Sequence, residues 1–280
     1  MDEKRVLVVL GMHHSGTSVI ARSLAVFNVY LGNDLMPGQP DHPSGYWEDN
    51  RITATNDRIL IAEGFSWRTP GFNCTKMKQN PHYRQTVRGI AEDLRRRFGA
   101  APIWGFKDPR TCRMMPLWQD VFRKLGVKAS YIVVVRHPRS VAESLRAKYG
   151  MTLRLGYTLW LEHLAMAVQE TQSQQRVFVS YDRMLDDPRR ELRREAAGLN
   201  LDVSYLQTVA TRMFVRSFLD QNLRHRHYVP GAAPQIVRGE KLCHQAYGLL
   251  DAMAADEISK AEFQKAWQAL VGRENWRFEI

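Results

Sequence analysis

The sequence predicts an α/β fold, with a central parallel sheet between two layers of helices and a mainly helical C-terminal part. Three observations lead there. Val6-Leu7-Val8-Val9-Leu10 is an unbroken apolar run with three valines, the mark of a strand buried on both faces, as in a parallel sheet. Further strand-like runs alternate with helix-patterned segments, and that alternation implies right-handed crossovers with helices on both faces of the sheet. The segments with unusual chemistry each follow directly on a strand-like run, and open parallel sheets bind their ligands beyond the carboxyl ends of the strands.

Taken in order, the first strand leads into a Gly-bounded loop, Gly11 to Ser18. Ser18–Asn28 carries Val19, Ile20, Leu24 and Phe27 at helical spacing. Gly32–Gly45 is rich in Gly, Pro and Asp and reads as a loop. His82–Phe98 reads as an amphipathic helix stopped by Gly99. Ile103–Phe106 is a short second strand, and Tyr131–Val135 is the clearest strand after the first. Pro138 suits the first turn of a helix reaching Leu145. Leu153, Tyr157, Trp160, Leu161, Leu164 and Val168 share a helical stripe that should face the core. Val177–Val179 is a fourth strand, closed by Tyr181-Asp182. The remainder is helical in pattern, interrupted from Tyr228 to Pro234, with no repeat, low-complexity segment or linker.

A chain of 280 residues that is 44% hydrophobic can bury one sizeable core, so one domain is expected. Its core would run over about 5–190, with a helical extension over about 191–280. Cys74, Cys112 and Cys243 are scattered and odd in number, which speaks against a disulfide framework or a zinc site and for a reducing, cytoplasmic setting. No run approaches the ~18 apolar residues of a membrane span, so neither a signal peptide nor an anchor is expected, and only peripheral membrane contact stays open. The net charge of +11, from 40 Lys and Arg against 29 Asp and Glu, suits anionic ligands. Without a basic tail or a nucleic-acid module, nucleic acid is the weaker choice, and Arg95-Arg96-Arg97 reads as a solvated helix end.

Gly11-Met12-His13-His14-Ser15-Gly16-Thr17-Ser18, between a buried strand and a helix, resembles a P-loop, and the expected fold is accordingly the three-layer P-loop NTPase-like one. Backbone N–H groups of such a turn form an anion nest, reinforced by the dipole of the following helix. The Walker lysine that clamps the β- and γ-phosphates of ATP is absent, and Thr17 stands in its place. That disfavours a nucleotide or metabolite kinase, which stays as the second reading. A non-catalytic nucleotide- or polyanion-binding module is the third.

A loop ending in basic-Ser-Gly-Thr-Thr/Ser resembles the 5′-phosphosulfate loop of sulfotransferases that use 3′-phosphoadenosine 5′-phosphosulfate (PAPS), bacterial ones included. In that family an Arg at a later strand end and a Ser eight residues on hold the 3′-phosphate. Arg136 and Ser144 have this spacing here. The Arg-His-Pro-Arg turn and the strand end at Tyr181, followed by Asp182-Arg183-Met184-Leu185 and Asp187-Pro188, fit as well. A planar guanidinium also suits a phosphate dianion on chemical grounds.

The resemblance implies PAPS as sulfuryl donor and 3′-phosphoadenosine 5′-phosphate (PAP) as product, with no metal. His13, His14, Ser15, Gly16, Thr17, Ser18, Arg136, Ser144 and Tyr181 would bind the nucleotide. Lys107, in Lys107-Asp108-Pro109-Arg110, would neutralise charge on the transferring group. Glu48, in Gly45-Tyr46-Trp47-Glu48-Asp49, is the candidate base for the acceptor hydroxyl, desolvated by its aromatic neighbours, with Asp49 as its competitor. His14 departs from the family, which places Lys or Arg there; beside a dianion its pKa should rise, and a cationic His14 could stabilise the leaving phosphate. The other reading is that His14 only lines the loop. A carbohydrate or glycolipid acceptor is expected by analogy. Arg224-His225-Arg226-His227-Tyr228 could close over the nucleotide or meet an anionic acceptor, and Phe65-Ser66-Trp67 with Phe72 could line the acceptor pocket.

Overall fold

A computed structural model describes residues 4–39, 45–219 and 239–272. Four strands, β1 (Arg5–Leu10), β2 (Ile103–Lys107), β3 (Lys128–Val135) and β4 (Gln175–Ser180), form one sheet in the order β2-β1-β3-β4. All three pairings are parallel, as the unbroken apolar runs imply. Val6 through Leu10 and Tyr131 through Val135 are essentially inaccessible to solvent.

The helices, in order, are α1 (Thr17–Val26), α2 (Asn50–Ala62), α3 (Cys74–Met77), α4 (Tyr83–Phe98), α5 (Met115–Leu125) and α6 (Pro138–Tyr149). After them come α7 (Leu153–Glu170), α8 (Tyr181–Asp186), α9 (Pro188–Leu199), α10 (Val209–Met213), α11 (Glu240–Ala254) and α12 (Lys260–Val271). On one face, Val6, Val8 and Leu10 pack against α2, α4 and α5, while Val133 and Val135 pack against α6, α7, α11 and α12. On the other face, Leu7, Val9, Ile132 and Val134 pack against α1, α8 and α9. Alternate residues of each strand thus feed opposite layers, giving the three-layer α/β/α arrangement.

Several expected boundaries shift for identifiable reasons. β3 begins at Lys128, because Lys128, Ala129 and Ser130 pair with Arg5, Val6 and Leu7 although they break the apolar run. α6 continues to Tyr149, where Gly150 adopts a left-handed φ of 68° and ends it. The fourth strand ends at Ser180, one residue before Tyr181, because the Ser180 side chain caps α8 by accepting from the Arg183 N–H. α5 adds an element to those expected, and its Leu117, Trp118, Val121 and Phe122 carry helical spacing and are buried. Arg97 departs from the solvated-end reading. It bridges Asp49 at 2.6 Å and Asp93 at 2.8 Å, and only Arg95 and Arg96 are exposed.

The stripe on α7 faces the core as expected, but the helix is buried almost all round and carries Glu162 and His163 inward. The His163 Nδ1–H donates to the Leu159 carbonyl at 2.7 Å, and burial pushes the imidazole pKa down to about 3, with Arg113 acting in the same direction. The unfolded chain therefore takes up this proton near the ordinary histidine pKa of about 6.5, whereas the folded chain takes it up only near 3. This contribution to stability is complete above pH 6.5 and is lost as the pH falls toward 3, at up to about 1.4 kcal/mol per pH unit. His163→Asn, which keeps an N–H for Leu159, should flatten the acid limb of a Tm-against-pH curve between pH 6 and 4. An unchanged limb would show that other groups set it.

Candidate active site

The chain steps from β1 outward to β2 and then back across to β3, so the strand order opens a crevice at the carboxyl ends of β1 and β3. A cleft of about 460 Å³ lies there. His13, His14, Gly16, Thr17, Ser18, Glu48, Lys107, Arg136, Ser144 and Tyr181, residues drawn from six separate segments, all line it. Ser15 is the expected residue that does not line it; it is fully buried, and its hydroxyl has no hydrogen-bond partner. Wider depressions beside α4, of about 730 and 860 Å³, contain none of these groups.

The loop owes its shape to Gly16. Its φ is 82°, and a Cβ there would land inside the Tyr181 ring, so only glycine fits. Gly16 also caps α1 without a side chain, which leaves the first amides of that helix for an anion. Tyr181 is thus a wall of the loop, and the Arg136 guanidinium lies 4.5 Å from its ring centre. Cys112, buried with its thiol pKa pushed up to about 12, receives the Gly11 N–H at 3.1 Å and fastens the start of the loop. Nothing in the sequence marks Cys112 for this task.

The two expected phosphate sites touch. The Arg136 Nη1 donates to the His14 carbonyl at 2.8 Å, and His14 Nδ1 shares a hydrogen bond with Ser144 Oγ at 2.8 Å. His14 holds a left-handed φ of 66°, which turns its carbonyl to Arg136 while its ring reaches Ser144. Arg136 is held from behind by the Trp160 indole N–H, which donates to its carbonyl at 3.1 Å.

Lys107, at the end of β2, lies 2.6 Å from Glu48 Oε1 and 3.3 Å from Ser18 Oγ. Arg110 Nη1 lies 3.8 Å from the other Glu48 oxygen and is itself tied to Asp108 and Asp57. Cations therefore flank both Glu48 oxygens, and of its aromatic neighbours Tyr46 lines the same cleft. Trp47 instead stacks beneath Arg22 at 5.0 Å. Glu48 and Asp49 point to different surroundings. Asp49 caps α2 through the N–H groups of Arg51 and Ile52 and pairs with Arg97, so it faces away from the cleft that Glu48 lines.

His13 stacks on Trp67 at 4.2 Å, and both its ring nitrogens are buried without a hydrogen-bond partner. Burial first, and then the positive charge of Arg110, holds its pKa well below the ordinary histidine value. It is neutral at physiological pH and offers hydrogen-bonding capacity but no charge. Phe72 is core and not pocket lining. It is 2% exposed and packs edge-on against Phe65. Arg224–Tyr228 lie outside the described residues. Among the described residues, no group of His, Cys, Asp and Glu is placed to hold a metal ion, and no helix is long and apolar enough to cross a membrane.

Comparison with solved structures gives the fold a context. The chain is similar to the sulfotransferase domain of the Synechococcus PCC 7002 olefin synthase, with 15% identity and a TM-score of 0.52 over 89% of this chain and 95% of that one. A sulfotransferase domain from the curacin biosynthetic pathway matches at 15% identity and a TM-score of 0.42, over 74% of this chain and 78% of that one. The first match identifies the fold as that of sulfotransferase domains. No family model matches the sequence, and no curated protein matches it significantly.

Proposed function

We propose that the chain moves a sulfuryl group from PAPS to an acceptor hydroxyl. The observation that carries this reading is the Lys107–Glu48 pair at 2.6 Å in the same cleft as a lysine-free phosphate loop and Arg136. The residues suit the donor. The loop offers uncapped helix amides for the 5′-phosphosulfate, and Arg136 with Ser144 suits the 3′-phosphate. When bound, PAPS supplies an activated sulfuryl group and leaves as PAP.

The protein's own groups account for the rest. Glu48 accepts the proton of the acceptor hydroxyl as the oxygen–sulfur bond forms, and Lys107 offsets negative charge on the oxygens around the transferring sulfur. Lys107 is placed for this, since it sits between Glu48 and Ser18 of the loop. His14, hydrogen-bonded to Ser144, joins the two phosphate sites and stabilises the leaving phosphate. The acceptor is a carbohydrate or glycolipid hydroxyl.

Thermal-shift titration with PAP, AMP and ATP-Mg²⁺ tests this reading. PAP at a hundred times its Kd should stabilise the fold by about 2.7 kcal/mol, and AMP far less at the same concentration. Arg136→Ala should abolish most of the PAP effect. Stabilisation by ATP-Mg²⁺ alone would overturn the proposal in favour of a kinase.

A further inference from the structure

We infer that the acceptor carries an anionic group close to its reacting hydroxyl, and that Arg68 binds this group at the mouth of the cleft. The inference rests on the sulfuryl-transfer reading above. With the donor's phosphates on the loop and on Arg136, the acceptor must approach the wall where Glu48 and Lys107 meet. Trp67 and Arg68 stand beside that cleft, against His13 and Tyr149, which line it. Trp67 stacks on His13, and Tyr149, which lines the cleft, meets Trp67 edge-on at 5.3 Å. The Arg68 guanidinium lies 5.0 Å from the Trp67 ring centre and 4.6 Å from that of Tyr149.

Arg68 is exposed, and no carboxylate lies within ion-pair distance of it among the described residues. Two aromatic rings thus hold a planar cation in place while its N–H fork stays available. That geometry matches a carboxylate, sulfate or phosphate group. The stretch that carries Trp67 and Arg68 is also fixed from below. Arg113 donates to the carbonyls of Ser66 at 3.2 Å and Thr69 at 2.6 Å, on either side of Trp67 and Arg68, and Glu162 accepts the Gly71 N–H at 3.0 Å. A buried Arg113–Glu162 pair therefore supports the one stretch that presents Arg68. Among the described residues, Glu48 is the only acidic residue lining the cleft, and Lys107 pairs with it. Among the described residues, no other carboxylate lines the cleft to oppose an anionic acceptor.

Calorimetry on the PAP-loaded protein provides the test, with p-nitrophenyl β-D-glucuronide and p-nitrophenyl β-D-glucoside as probes. The two differ only at C6, a carboxylate in one and a hydroxymethyl group in the other. The glucuronide should bind at least about tenfold more tightly at low salt, the scale of one charge-assisted hydrogen bond, and the advantage should shrink as salt is added. Arg68→Gln should remove most of that advantage, Arg68→Lys should keep much of it, and neither should change PAP affinity. Equal binding of the two sugars, no binding of either, or a preference that survives Arg68→Gln overturns the inference. Failure of PAP itself to bind instead strikes at the sulfuryl-transfer reading, and the same two sugars titrated without PAP then still report on Arg68.

Discussion

Glu48→Gln should lower turnover by about 10²–10⁴-fold, the usual span for removing a general base, while leaving PAP stabilisation intact. Glutamine keeps a carbonyl oxygen for Lys107, which is only 2% exposed, so the lysine is not stranded without a partner. What is lost is the ability to take a proton. The effect should therefore fall on kcat, measured as PAP formation from PAPS at saturating acceptor, with little change in acceptor KM. Lys107→Ala should behave differently. It removes the cation nearest the transferring group and leaves Glu48 facing Arg110 alone at 3.8 Å, so both kcat and thermal stability should fall. Asp49→Ala, by contrast, should cost stability through the α2 cap and the Arg97 pair and leave turnover per folded molecule unchanged. A Glu48→Gln protein with full kcat would move the base elsewhere, and the neutral His13 would be the first group to test.

Much of this site can be read in the sequence, because its parts are local signals placed by a regular fold. A buried valine-rich strand, a Gly-x4-Gly turn and a helix position the phosphate loop within Arg5–Val26, and each later strand brings a cleft-lining residue to its carboxyl end. The arginine at the end of β3 and the serine eight residues on fall into the same cleft because α6 runs beside the loop, close enough for Ser144 to bond His14. The partners of each group are not legible in the same way. Glu48 and Lys107 are 59 residues apart, and nothing around Glu48 in the sequence marks the cations that meet it. Asp49 and Glu48 are adjacent in sequence, and only the start of α2 separates their roles. Cys112 reaches back 101 residues to Gly11, and His13 meets Trp67 across a loop with no strong pattern of its own. Such long-range side-chain contacts are set by packing between layers, which local propensity does not encode.

The buried pair beneath Trp67 and Arg68 should show the largest stability effect in the molecule. Arg113 is fully buried, lies 3.0 Å from Glu162, which is also buried, and donates to the Ser66 and Thr69 carbonyls. Burying two charges is costly, and their attraction repays that cost only while both are present and hydrogen-bonded. Arg113→Ala leaves Glu162 as an uncompensated carboxylate in the interior and should destabilise the fold by about 3–5 kcal/mol. For a chain of this size that corresponds to a Tm lower by roughly 6–20 °C. Arg113→Met combined with Glu162→Leu removes both charges at similar volume, and much of the loss should be recovered. The double variant should not recover acceptor binding, because the Ser66 and Thr69 carbonyls have lost their donors and Trp67 is no longer held over His13. Calorimetric Tm values and glucuronide affinity, measured on the same three proteins, separate the two effects. If the double variant regains both, the pair is only core filling. If it regains Tm alone, the pair is there to aim Trp67 and Arg68 at the acceptor, and the fold gives up stability to do so.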